Sequence, residues 1–233
     1  MPTALARQVL EAYGGEARWR SARAVDACVS AAGWAFRLKF QPPDDRIAVT
    51  LSVGQPIARY TPATKAGLTA VLEGQSIRLE DAAGRVVKSR EDPARFFPYG
   101  RRALWWDSLD RAYFSCYALW NYLTFPSLLL REDIEWKELP GARLEGHFPP
   151  SLPTHSPTQT FYFDARTGLL LRHDYTAKVF GDWARAANVV LAHAESGGIR
   201  YPSHRRVTPI GPGDKPLPAP VLVDIHVHSW RLS

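Results

Sequence analysis

Residues 158 to 179 read TQTFYFDARTGLLLRHDYTAKV, and the alternation in this stretch decides the fold. Two apolar runs flank DARTG (164–168), whose Gly168 suits the left-handed position of a tight turn. The stretch therefore predicts an antiparallel hairpin. Strand side chains alternate between faces with period two. The second run thus places Leu169, Leu171, His173, Tyr175, Ala177 and Val179 on one face, and Leu170, Arg172, Asp174, Thr176 and Lys178 on the other. The apolar set carries a histidine and a tyrosine. In the first run the odd positions carry Phe161 and Phe163; the same parity adds Gln159 and, across the bend that Pro157 allows, His155. Antiparallel pairing brings Phe161 or Gln159 toward His173 and Tyr175. One inner cluster of His155, Gln159, His173 and Tyr175 is predicted.

The remaining chain extends the same pattern. TALARQVLEAYGG (3–15) reads as an amphipathic helix with Leu5, Val9, Leu10 and Tyr13 as its stripe, Thr3 as cap and a glycine pair as stop. Residues 25 to 40 read as a strand ending in the alternation Trp34, Phe36, Leu38, Phe40. RIAVTLSV, GLTAVLEG, SIRLED and VVKSR follow at hairpin spacing. IEWKEL, RLEGHF, ANVVLAHA, HRRVTPI and VLVDIHVHSW supply further strands around the hairpin. Between the two groups lies RRALWWDSLDRAYFSCYALWNYLTFPSLLL (101–130), a helix with Asp107 and Asp110 as a capping box and Pro126 near its end. Leu109, Ala112, Cys116, Leu119 and Leu123 form its aliphatic face. Asp110, Tyr113, Tyr117, Trp120 and Asn121 form a second, hydroxylated aromatic face. A helix apolar nearly all round is buried on both sides. The expected fold is mainly β (α+β): a curved antiparallel half-barrel of about ten strands wrapped around an inserted helix, with an N-terminal helix, as one domain over 1–233. Strands that follow strands without crossover helices exclude a doubly wound parallel sheet.

Composition narrows the function. The 233 residues include 45% hydrophobic and 22% charged side chains, ordinary for a globular chain. The net charge of +6 comes without a dense basic stripe or a known module, so no nucleic-acid partner is expected. No run is long and apolar enough for a membrane helix, and the N-terminus lacks a secretory pattern, so no stable membrane insertion and a cytoplasmic location are expected. Cys28 and Cys116 are expected to be buried thiols. His226 and His228 could chelate a metal at i, i+2, but they share a wet face with Asp224, and a third ligand cannot be placed from sequence; no metal is expected. No glycine-rich phosphate loop, nucleophile elbow or cysteine–histidine signature occurs, and no cofactor is expected.

The opening helix ending AYGG, followed by a strand entering GWAFRLKF, resembles the start of LolA-like lipoprotein-carrier domains (the LolA, LolB and LppX group). FYFDARTGLLLRHDY is similar to their recurrent D-x-x-TGLL hairpin. The strings YALWNYLT, THSPTQTFYFD and GLLLRHDYT resemble a bacterial family within that group that carries no assigned activity. The resemblance spans roughly residues 3 to 229 and implies a half-barrel around helical plugs with an apolar concave cavity. Members of the group carry acyl chains or lipids. A more distant one, the enzyme that forms prodeoxyviolacein, performs cofactor-free chemistry on the same scaffold. The absence of an export signal or lipobox cysteine sets this chain apart from the carriers.

Two functions follow as expectations. The first is binding of a hydrophobic or aromatic small molecule in the cavity, with Gln159, Phe161, Tyr113, Tyr117, Trp120, Asn121 and Trp34 lining it. The second is a cofactor-independent isomerase or cyclase, with His173 as general base and Tyr175 or His155 as acid or oxyanion donor. A purely structural role, in which buried histidine and tyrosine satisfy one another, accounts for the same residue types.

Overall fold

The computed structural model describes residues 3–233. Helices α1 (Ala4–Ala12) and α2 (Glu16–Ser21) precede a first meander: β1 (Ala24–Ala32), β2 (Asp44–Ser52), β3 (Ile57–Thr61), β4 (Thr69–Glu73), β5 (Ser76–Glu80) and β6 (Val86–Glu91), with a short helix α3 (Trp34–Arg37) after β1. Helices α4 (Arg101–Leu104), α5 (Ser108–Leu123) and α6 (Phe125–Leu128) separate it from a second meander: β7 (Glu135–Leu139), β8 (Arg143–His147), β9 (Thr158–Phe163), β10 (Leu170–Thr176), β11 (Arg185–Ser196), β12 (Ile199–Pro209) and β13 (Val223–Leu232).

All thirteen strands form one antiparallel sheet, three more than the rounded ten. Its order is β6-β5-β4-β3-β2-β1-β13-β12-β11-β10-β9-β8-β7. The first and last strands pair at its centre, so the two meanders fuse into a single curved surface whose edges are β6 and β7. The chain passes from one edge to the other through α4, α5 and α6, which places α5 in the hollow. There α5 packs on β3, β4 and β5. Every residue of it from Leu109 to Leu123 is buried, so both faces are covered. Its capping box is formed as expected: Asp107 accepts from the Asp110 backbone N–H at 2.9 Å, and Asp110 accepts from that of Asp107 at 3.1 Å.

At three places the structure differs from the expected set of elements. The first strand ends at Ala32. Gly33, at φ +148°, brings the backbone so close that a Cβ would lie 2.3 Å from the Leu222 carbonyl oxygen. The next residues turn into α3, which buries Phe36 and leaves Trp34, Leu38 and Phe40 exposed. Their alternation was that of a helical turn and its exit, not of a strand. Secondly, IARYT forms β3 although Pro56 and Pro62 bracket it, because both prolines lie outside the ladder. Thirdly, a β-bulge between Leu170 and Arg172 shifts the hairpin register. Leu170 is buried and Leu171 exposed, the reverse of simple alternation, whereas His173 and Tyr175 remain inside. The strand also stops at Thr176, and Ala177 and Val179 are buried in the loop beyond it. Of the cysteines, Cys116 is buried and Cys28 only half-buried.

Candidate functional site: a polar floor beneath an apolar pocket

Register assembles the concave face. Leu144 lies opposite Phe161, Phe161 opposite His173, His173 opposite Asn188, Asn188 opposite Val207, and Val207 opposite Val223. This row runs across six strands and is buried throughout. In the next row Tyr175 faces Ala186, which faces Pro209.

His155 reaches the same place without being in a strand. It sits in the loop before β9, whose Ser156 Oγ accepts from the Thr176 backbone N–H at 3.2 Å, while the His155 carbonyl accepts from that of Lys178 at 3.1 Å. These bonds lay the imidazole flat on Tyr175, ring centroids 3.8 Å apart and 6° from parallel. Tyr122 of α5 completes the group. Its hydroxyl is 2.6 Å from His155 Nε2 and 2.6 Å from the Tyr175 hydroxyl, and Tyr117 approaches His155 Nδ1 at 3.3 Å.

His173 occupies a different niche. Gln159 donates its amide N–H groups to Thr154 Oγ1 and the Ser156 carbonyl, so its Oε1 must accept from His173 Nε2, 2.7 Å away. That fixes the proton on Nε2, and Phe161 covers the ring at 4.0 Å. Both imidazoles are neutral. Burial lowers His155 to about 3. Burial, then the neighbouring His155 imidazole and the Arg205 charge, holds His173 well below the usual range. Burial likewise raises Tyr122 to about 12 and Tyr175 well above the usual phenol range.

Behind Tyr122 lies a charge that the sequence reading did not single out. Arg205 is buried, donates through Nη2 to the Tyr122 carbonyl at 3.1 Å, and holds its guanidinium 5.2 Å from the centre of the Tyr122 ring. Among the described residues its Nε and Nη1 have no partner, nor have the side-chain amide atoms of Asn188. Among the described residues no carboxylate pairs with Arg205. Parity offered a signal, since Arg205 shares a face with Val207. For Asn188 there was none, because both faces of ANVVLAHA read as apolar. Tyr122 was missed because it belongs to neither helical face, falling on a third stripe with Ser115 and Ala118.

Above the floor is a pocket of about 150 Å³. His155 and Tyr175 form its polar end, and Phe114, Phe180, Ala186 and Val207 are among its apolar walls. It opens between Leu38 and Trp183, which are 57% and 79% exposed. Other expected lining residues sit elsewhere. Gln159, Phe161 and His173 lie behind the Tyr175 end. Tyr117 is outside the lining and packs on two residues within it, His155 and Phe114. Tyr113 stacks on Phe97, and Trp120 donates to the Ser52 carbonyl at 2.8 Å on the sheet side of α5. Asn121 donates to the Tyr117 and Pro153 carbonyls at 2.7 and 3.0 Å, tying the His155 loop to the helix. Trp34, 48% exposed, stands on the α3 turn whose Ala35 and Leu38 do line the pocket.

No family model and no curated protein matches the chain. Solved structures do. A LolA superfamily protein from Nitrosomonas europaea superposes with a TM-score of 0.53 at 11% identity, over 99% of this chain and 94% of that one. Looser similarity extends to a DUF1329 family protein from Desulfovibrio piger (TM-score 0.42, 12% identity, 98% and 92% covered). A domain of an outer membrane lipoprotein-sorting protein from Vibrio parahaemolyticus is comparable (TM-score 0.45, 9% identity, 98% and 90% covered). Among the described residues no helix is long and apolar enough to cross a membrane. The chain therefore has a LolA-like fold, the half-barrel that its D-x-x-TGLL hairpin implied.

Proposed function

We propose that the protein binds a lipophilic small molecule in this pocket, as a single domain and in the cytoplasm. The observation that carries the reading is a mostly apolar, surface-open cavity whose lining includes few polar side chains, the buried His155 and Tyr175 and the exposed Arg185. Concave, mostly apolar pockets with few convergent polar groups are the usual small-molecule sites. A volume of about 150 Å³ admits a benzene-sized ring or a short run of methylenes. The ligand's ring or tail would lie against Phe114 and Phe180, with its polar atom toward the His155–Tyr175 end. Larger ligands would project past Trp183 into solvent.

The test is native mass spectrometry of the purified protein, followed by calorimetric titration with phenol and with indole. Retained or added ligand that is lost in Ala186→Phe supports the reading. An absence of any bound or binding apolar molecule defeats it.

A second reading, cofactor-free acid–base catalysis, draws on one observation. The Tyr175, Tyr122 and His155 hydrogen bonds form a continuous chain that ends at the pocket. In that reading His155, which lines the pocket, carries the base role expected of His173, which does not. Consumption of a bound ligand, followed by chromatography and mass spectrometry and abolished in His155→Gln with binding retained, would favour it. Unchanged ligand after prolonged incubation leaves binding alone.

A further inference from the structure

The sheet's outer face carries a second constellation, unrelated to the pocket. β12 and β13 are antiparallel, with His204 directly opposite His226 and Arg206 opposite Asp224. Asp224 lies two residues before His226, so both side chains leave the strand on the same side. The two imidazoles stack with centroids 4.0 Å apart. Asp224 Oδ1 is 3.0 Å from His204 Nε2, and Oδ2 is 3.3 Å from His226 Nε2. One ligating atom from each of the three residues lies within 4.8 Å of the other two.

We infer that His204, Asp224 and His226 form a binding site for a divalent ion of the zinc class. Bonds of about 2.0–2.1 Å around a tetrahedral zinc set its ligand atoms roughly 3.4 Å apart. In the structure each imidazole meets a different oxygen of Asp224, and one ligating atom from each residue lies within 4.8 Å of the others, so gathering them on one ion needs edges to close by no more than about 1.4 Å, within reach of the exposed His226 ring. Two imidazoles and a carboxylate suit zinc, nickel or copper rather than magnesium or calcium, which take oxygen ligands. Three protein ligands leave a fourth position for water or an outside group. The donors stand on paired strands in mid-sheet, which limits the ordering that binding requires.

Neighbouring groups sharpen the assignment. His228, the more obvious partner by sequence, is held by the Ser30 hydroxyl at 2.8 Å and is not part of the cluster. Arg206 Nε lies 3.3 Å from Asp224 Oδ1 and must swing outward, which its half-exposed side chain allows.

Untagged protein, freed of metal by chelation, is titrated with Zn²⁺ by calorimetry and with Co²⁺ by visible absorption. One ion per chain is expected, with the intense cobalt band of a four-coordinate site. His204→Ala and Asp224→Asn should each weaken zinc on the order of 100-fold, whereas His228→Ala should change it by a factor of about two at most. Metal-free unfolding midpoints establish that each variant is folded. His226→Gln, at an exposed position, replaces any variant that is not. No binding to the parent protein, or binding that survives loss of His204 or His226, overturns the site.

Discussion

Tyr122 holds the floor of the pocket together, and its hydroxyl can be tested alone. Tyr122→Phe keeps the ring packing but leaves the His155 and Tyr175 partners unsatisfied in a buried place. A loss of about 1–3 kcal/mol is expected in urea unfolding, larger than for Tyr117→Phe, whose bond to His155 is longer. The two buried histidines also set a pH dependence. Their folded values lie below the ordinary 6.5, so the unfolded chain binds protons that the native state refuses. The stability that depends on this is complete above about pH 6.5 and falls progressively as the medium is acidified toward the folded values. For His155, lowered to about 3, the loss between pH 6.5 and 5 is about 2 kcal/mol. Urea midpoints at the two pH values check it, and His155→Gln should make the drop smaller by about that amount. Arg205 gives a prediction of opposite sign. A buried guanidinium without a carboxylate costs desolvation, so Arg205→Met is expected to be neutral or to stabilise the protein by up to about 4 kcal/mol. Marked destabilisation in a thermal melt would mean that its contact with Tyr122 outweighs that cost.

At the scale of elements, the start of α5 is fixed by charge. Asp110 is fully buried and meets Arg90, Arg101 and Arg102 at 2.6, 2.8 and 2.8 Å, which ties the helix to the β6 edge and to α4. Asp110→Asn leaves Arg102 without a carboxylate, and Arg90 and Arg101 with Asp107 alone, and is expected to cost about 3 kcal/mol in chemical denaturation. Asp107→Ser retains a capping oxygen and should cost about 1 kcal/mol. This element was legible in the sequence because its cap, length and buried faces are local properties. The β10 hairpin was legible only in part. Its existence and the inward His173 and Tyr175 followed from alternation, but the bulge that turns Leu170 in and Leu171 out depends on pairing with β9. Likewise Gly33 ends β1 because the Leu222 backbone approaches from a strand distant in sequence.

For the whole molecule, the open sheet and the half-filled hollow are the features with consequences. β6 ends the sheet with exposed Val86 and Val87, and Lys88 beside them keeps other chains from adding to the ladder. Lys88→Val is expected to raise self-association, read by light scattering at constant unfolding midpoint. The hollow is mostly occupied by α5, and the pocket is what remains between that helix, the β10–β13 wall and the loop carrying Phe180 and Trp183. Six segments separated in sequence must meet before it exists.

The sequence by itself determined the mainly antiparallel architecture, the inserted helix with its cap, and the inward face of His173 and Tyr175, because periodicity and capping act over a few neighbouring residues. Only the tertiary structure decided that His155 and Tyr175, rather than His173, border the pocket, that Tyr122 joins them, and that His204 lies beside Asp224 and His226 on the outer face while His228 turns to Ser30. Each of these depends on register between strands or on the rotation of a helix about its axis. Those quantities are set by packing across the whole sheet, and no window of sequence contains them.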